Sequence, residues 1–171
     1  MSINQKYNII SLQYSLQEVL DKYVKKGQVI KYSMIYSPIF LIKVNITTRF
    51  FMKKVNKTGT WVFDAVNQSV NICPEALQTE VSELNDDIIL ESSVTVEEAE
   101  LLAKNATLAN KFKYLQNPEF NDIDVIEEMY QPYYMILWKH KKKEKIYLID
   151  AVTGEENLLM RERMNIPIHL K

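Results

Sequence analysis

Hydrophobic and polar positions alternate with period two along several stretches of this chain. Ile30, Tyr32, Met34 and Tyr36 share one side of such a stretch, and Phe40, Ile42 and Val44 continue the alternation beyond Pro38. Far downstream, "YQPYYMILW" (residues 130–138) repeats the layout of "YSPIFLIKV" (residues 36–44). Tyr36 matches Tyr130, Pro38 matches Pro132, and Phe40, Ile42 and Val44 match Tyr134, Ile136 and Trp138. Period two places each triplet on one face of a strand. In the second copy Tyr133, Met135 and Leu137 make the other face apolar as well, the pattern of a strand covered on both sides. Residues 123–129 are a weaker counterpart of residues 30–36. Second strands follow at residues 59–66 and 145–152, each closing an antiparallel hairpin, the later one turning within residues 140–144. Proline cannot donate to a ladder, so Pro38 and Pro132 predict a bulge or an edge.

Helical spacing appears upstream of each hairpin. "SLQE" (residues 15–18) and "TVEE" (residues 95–98) are capping boxes, in which the hydroxyl accepts from the third helical N–H and the Glu reaches back to the cap. Leu16, Val19, Leu20, Tyr23 and Val24 follow the first as one stripe; Val96, Ala99, Leu102, Ala103 and Ala106 follow the second. Gly27 ends the first helix, and the second runs on toward Leu115. Between the copies, Pro74 suits a first helical position, and Leu77, Val81 and Leu84 form a short stripe, which predicts a linking helix and then an acidic loop. The organisation expected is a helix-plus-hairpin repeat over 1–72, the linking helix and loop over 73–92, and a second repeat with a C-terminal tail over 93–171. The fold class is α+β: two similar halves, each a helix packed on an antiparallel β-sheet. A pseudo-two-fold axis between them would let one half cover the exposed edge of the other.

The hairpins share one further signature. "WVFDAVNQSV" (residues 61–70) and "YLIDAVTGEE" (residues 147–156) both write aromatic–apolar–apolar–Asp–Ala–Val. A carboxylate at the end of a strand accepts backbone N–H bonds and fixes a turn, which assigns Asp64 and Asp150 to structure. Gly154 supplies positive φ in that turn, and Asn67 is its nearest substitute in the first copy. A catalytic carboxylate pair would require the two Asp side by side.

"VTVEEAELLAKNA" (residues 94–106) followed by "YLIDAVTGEE" resembles the PepSY domain family. Thr95, Glu97, Glu98 and Ala99 match its capped helix start, and Asp150, Ala151, Thr153 and Gly154 match its final D-A-x-T-G. The first half keeps Ser15, Glu18, Asp64 and Ala65, but has Asn67-Gln68 where Thr-Gly stands in the second. The resemblance implies a tandem, non-catalytic protein with a cystatin-like helix on a sheet. PepSY-like domains occur in metallopeptidase propeptides and cell-envelope proteins, where inhibition or protein binding is proposed.

Composition narrows the classes. The 171 residues are 47% hydrophobic with ten Tyr, enough for a real core in one domain or two small halves. Three glycines leave no phosphate-cradling loop. A net charge of −1 gives no global field for nucleic acid or an anionic membrane. The single Cys73 excludes an internal disulfide and fits a reducing compartment. "MSINQKYNIISLQYSL" lacks a basic start and a long apolar core, so no signal peptide is expected, and no apolar run approaches the ~20 residues of a membrane span. A cytoplasmic location is expected.

Charge is uneven, however. Residues 80–100 are acidic, and Lys141, Lys142 and Lys143 lie in a basic hairpin turn. With Arg49, Lys53, Lys54 and Lys57, and with Phe50, Phe51 and Trp138 nearby in sequence, these cations suit an acidic protein partner or single-stranded nucleic acid; equally, Lys guards strand edges. Tyr133 and Trp138 belong to an aromatic set of the kind interfaces use. Cys73 has no Cys-x-x-Cys partner and is read as an idle thiol. His140 and His169 form neither a zinc site nor a catalytic triad. The expectation is therefore no enzyme, no metal and no cofactor. It is a protein- or peptide-binding module, regulatory or inhibitory, that captures its partner along a free sheet edge. The alternative is nucleic-acid binding through the two basic hairpin tips; a homo-oligomer remains open.

Overall fold

The computed structural model describes residues 6–74, 77–84, 89–110 and 116–164. The chain runs β1 (Lys6–Ile10), α1 (Leu16–Tyr23), β2 (Gln28–Phe50), β3 (Lys53–Asp64), β4 (Ser69–Ile72), β5 (Thr79–Glu83), α2 (Val96–Asn110), β6 (Gln116–His140), β7 (Lys143–Asp150) and α3 (Leu158–Arg163). Both capping boxes close. The Ser15 amide donates to Glu18 Oε2 at 2.8 Å while the Glu18 amide donates to Ser15 Oγ at 3.3 Å. Thr95 and Glu98 make the same exchange at 2.9 and 3.2 Å. Each box satisfies two of the N–H groups a helix start leaves open.

The two-halves expectation is overturned. Among the described residues the strands form a seven-stranded mixed sheet in the order β4-β3-β2-β6-β1-β5, with β7 paired to β6, accompanied by three short helices. The physical reason lies in the prolines, which do not break their strands. β2 continues through Pro38 for 23 residues and β6 through Pro132 for 25. Each proline instead stands where a hairpin ladder ends: Ile39 pairs with Asp64, and Tyr133 with Asp150. A missing N–H costs nothing on the side where the partner strand has already turned away. The sheet is mixed because β1 meets β6 in parallel at Ile9 and Tyr130, whereas the hairpins and the β1–β5 pair are antiparallel.

The stretch expected as a linking helix also differs. Residues 79–83 are β5, paired in antiparallel register with β1 from Ile10↔Thr79 to Lys6↔Glu83. The acidic residues Asp86 and Asp87 and the expected helix extension to Leu115 lie outside the described residues.

Contacts gather the chain into two compact units. One is drawn from the segments up to Pro38, from Gln78 to Glu91 and from Tyr130 onward; the other is Ile39–Leu77 with Ser92–Met129. In the first unit, Val19 of α1 is buried against Tyr134, Ile136, Ile149 and Ala151 of the β6–β7 hairpin, with Leu16, Leu20 and Tyr23 packed around them. In the second, Ala99 and Ala103 of α2 lie on Phe40, Ile42, Val44, Ile46, Trp61 and Phe63 of the β2–β3 hairpin. Each helix thus covers the hairpin that the sequence places farther from it. Each fully buried Ile or Phe contributes about 1.5–3 kcal/mol, so the two apolar stripes are the main reason these short helices form. Among the described residues no helix is long and apolar enough to cross a membrane.

Candidate functional site on the open edge of β3

β3 pairs with β2 along its whole length, from Phe50↔Lys53 to Ile39↔Asp64. On its other side β4 pairs only with residues 61–64, and Cys73 adds one bond, its amide donating to the Thr60 carbonyl at 3.0 Å. That bond sets the direction of the remaining backbone. Alternate residues of a strand point their N–H and C=O groups to the same side, so Thr58, Asn56 and Lys54 face away from β2, as Thr60 does. Among the described residues no strand meets residues 53–59 on that side.

An open groove of about 420 Å³ lies where β4 leaves this edge, lined by residues 58–61, Ile72, Cys73 and Pro74. Trp61 is 2% exposed and its indole Nε1–H has no hydrogen-bond partner among the described residues. The ring lies over Gly59: a Cβ added there would stand 3.3 Å from Nε1. Glycine at position 59 therefore leaves room for the indole ring. A buried donor without an acceptor costs roughly 1–3 kcal/mol. Burial pushes the Cys73 thiol above its ordinary value, so it sits in the groove as a neutral group. Cys73 follows β4 and precedes no described helix, against the helix-start expectation.

Side chains on the hairpin follow the same register. Thr47 donates to Asn56 Oδ1 and Thr58 to Asn45 Oδ1, both at 2.8 Å, and Asn121 Nδ2 donates to Thr47 Oγ1 at 2.7 Å. Toward the tip, Arg49 stands opposite Lys54. Arg49, Lys53, Lys54 and Lys57 are all exposed around the two-residue turn Phe51-Met52. The β6–β7 hairpin turns at Lys141-Lys142, with His140 opposite Lys143. The two groups of cations belong to different units.

The aromatic candidates divide. Tyr133 is 2% exposed and offers no surface to a partner. Trp138 is half-buried; its ring lies parallel to that of His140 at 5.9 Å and packs on Gly27. His169 lies outside the described residues. Among those described, no group of His, Cys, Asp or Glu is placed to hold a metal.

The two Asp residues each hold a turn. Asp64 Oδ1 accepts from the amides of Val66 at 2.9 Å and Asn67 at 2.8 Å, and Oδ2 accepts from Asn67 Nδ2 at 2.8 Å. Asp150 Oδ1 accepts from Val152 at 2.8 Å and Thr153 at 3.3 Å, and Oδ2 from Gln131 Nε2 at 2.6 Å. Burial pushes the Asp150 carboxyl above its ordinary value, against these hydrogen bonds, which pull it down. Gly154 takes the positive φ of +70°. In the first copy that conformation falls on Gln68, at +55°, and not on Asn67, whose side chain is committed to Asp64.

Three features of this region had no sequence signal. Trp61 reads as one more aromatic on a strand. Phe51-Met52 contains none of the Asn or Gly that marks a hairpin turn. The free edge depends on where β4 stops, which four residues do not announce. Compared with known proteins, the chain matches no family model, no curated protein and no solved structure, so the PepSY-like resemblance rests on the quoted motif residues alone.

Proposed function

We propose that this chain is a non-catalytic, cytoplasmic binding module that takes up an extended peptide segment of another protein as an added strand on β3. The observation that carries this reading is the side of residues 54–58 that no strand among the described residues pairs with, ending at a groove lined by Trp61, Ile72 and Pro74. In strand addition the main-chain bonds give affinity and the alternate side chains give selectivity. Here Thr58, Asn56 and Lys54 supply the main-chain groups, and Trp61, Ile72 and Pro74 line the groove where the edge ends. Lys53, Lys54 and Lys57 favour an acidic segment. The reading requires no reacting group, and the oxygens of Asp64 and Asp150 already accept hydrogen bonds, from their own turns and, at Asp150, from Gln131 of β6.

The test is selection of a random-peptide display library on the full chain, followed by Thr58→Pro. The Thr58 amide points away from β2, so proline there removes an outward donor and leaves the β2–β3 ladder in place. Enriched peptides should bind the variant at least about tenfold more weakly, the worth of one or two main-chain bonds, with circular dichroism unchanged. In the wild type they should shift the Trp61 indole resonance. Equal binding to both proteins would refute strand addition. Retention of single-stranded nucleic acid that ignores Thr58→Pro would support the hairpin-tip reading in its place.

A further inference from the structure

The β2–β3 hairpin closes on two large apolar residues. Phe51 and Met52 are 88% and 98% exposed, and both have positive φ, at 44° and 69°. A two-residue turn with both residues at positive φ favours Asn-Gly, because other side chains crowd the backbone there. Turn geometry therefore disfavours Phe-Met, and the exposure of both side chains shows that core packing does not call for them.

The register shows what surrounds them. Arg49 and Lys54 are directly opposite and share one face of the ribbon, while Lys53 and Lys57, opposite Phe50 and Ile46, share the other. The apex is thus collared by cations on both faces. From Lys22 to Phe63 the chain carries no acidic residue. β6 reaches this hairpin through Asn121, and the acids flanking it in sequence, Glu119 and Asp122, are both exposed. Like charges directly opposite each other repel, so the Arg49–Lys54 pair is relieved when an anion binds.

We propose that this apex is a membrane-docking tip, which places Phe51 and Met52 at the headgroup–acyl boundary of an anionic bilayer and the four cations among the lipid headgroups. Phe51 and Met52 are almost fully exposed and line no cavity among the described residues, which suits a yielding surface and not a small molecule. Interfacial binding grows with the apolar area inserted and with attraction to anionic lipid. Each cation near such a surface is worth roughly a fivefold gain. Attraction fades within a Debye length of about 8 Å, so the collar acts locally and the chain's overall charge of −1 does not cancel it. The inference does not require strand addition at β3, although both readings draw on Lys53, Lys54 and Lys57; the variant Phe51→Asn with Met52→Gly leaves those lysines in place and so tests the apex by itself.

The experiment is co-flotation of the full chain with phosphatidylcholine vesicles, with and without about a third phosphatidylserine to supply the anionic surface. The wild type should partition at least about tenfold more strongly onto the anionic vesicles. The decisive variant combines Phe51→Asn with Met52→Gly, which installs the residues the turn prefers while deleting the apolar tip. It should melt no lower than the wild type and lose vesicle binding. Lys53→Gln with Lys54→Gln should weaken binding and flatten its salt dependence. Equal flotation of the wild type and the Asn-Gly variant would overturn the proposal. So would wild-type indifference to phosphatidylserine, or a concentration-dependent dimer that forms without vesicles and is lost in the Asn-Gly variant, which would assign the apex to a second copy of the chain.

Discussion

In the β6–β7 hairpin the residue after Pro132 pairs with Asp150, and in the β2–β3 hairpin the residue after Pro38 pairs with Asp64. Both hairpins close on two-residue turns, and both Asp carboxylates accept the amides two and three residues ahead. The difference begins after the Asp. Past Asp150 the chain folds back along β7: the Asp150 amide donates to the Glu155 carbonyl, Ile149 bridges Glu156, the Asn157 amide donates to the Leu148 carbonyl, and Arg161 Nη1 donates to the Ile146 carbonyl. The outer side of β7 is closed. Past Asp64 the chain returns as the four residues of β4, and among the described residues no strand pairs with the outer side of β3 below Thr60. An open edge is an aggregation hazard that lysines mitigate. β3 carries Lys53, Lys54 and Lys57 along its open stretch. The same ladder and turn chemistry therefore yields one sealed edge and one available edge, and the segment after the Asp decides which.

The largest expected effect comes from unsealing β7. The Arg161 side chain is 5% exposed and pairs with Glu156, which Lys145 also approaches at 3.5 Å. Glu156→Ala leaves a buried guanidinium without its counter-charge and should cost about 3–5 kcal/mol, read as a fall in urea stability. Soluble aggregates should accompany it as the β7 edge is exposed. A loss below about 1 kcal/mol would mean that this ion pair does not hold the seal.

How far this contrast could be read from sequence depends on the range of the signals. The capping boxes at Ser15 and Thr95 and the Asp turns are legible because their backbone partners lie within three residues; the Gln131 bond to Asp150, from 19 residues away, was not. Residues 79–83 were not. Leu77, Val81 and Leu84 fit a helical period, yet the segment becomes β5 because β1 offers it a strand to pair with, a tertiary partner overriding a local preference. Pro38 and Pro132 suggest breaks, but a strand that gains a different neighbour beyond the proline passes straight through. The packing of α1 on β6–β7, across more than a hundred residues, is set by which apolar faces meet. At the candidate site the cations were visible in the sequence. The unpartnered Trp61 N–H, the apolar apex and the buried Arg161 were not, since each depends on register or burial.

Smaller effects should separate the two turns at their fourth positions. Gly154 has φ +70°, and a Cβ there would lie 3.0 Å from the Tyr14 ring. Gly154→Ala should cost about 1–2 kcal/mol, from the left-handed backbone plus the crowded ring. Gln68 holds the equivalent position at +55°, its side-chain amide donating to Ser93 Oγ at 3.4 Å. Gln68→Gly should stabilise by less than about 1 kcal/mol, because relief of backbone strain is offset by the added freedom of glycine in the unfolded chain. Opposite signs in thermal melts of the two variants would establish that the turns differ in what they demand. Destabilisation by both would show that the Gln68 side chain earns its place through contacts.

The smallest expected effect is a pH dependence carried by Asp150. Burial raises its carboxyl above the ordinary value, while bonds from Val152, Thr153 and Gln131 oppose the rise. Between the unfolded and folded values the folded chain keeps a proton that the unfolded chain has lost. Raising the pH through that window therefore removes stability, and lowering it restores stability. Asp150→Asn keeps an oxygen for the Val152 and Thr153 amides, and the Gln131 amide can turn to present its own oxygen. The variant should gain on the wild type at neutral pH, and the gap should close as the pH falls into the carboxylate range. Denaturation curves of the two proteins across that range measure it. A gap that widens on acidification would mean that the turn's hydrogen bonds outweigh burial, and that Asp150 is held as a stabilising anion.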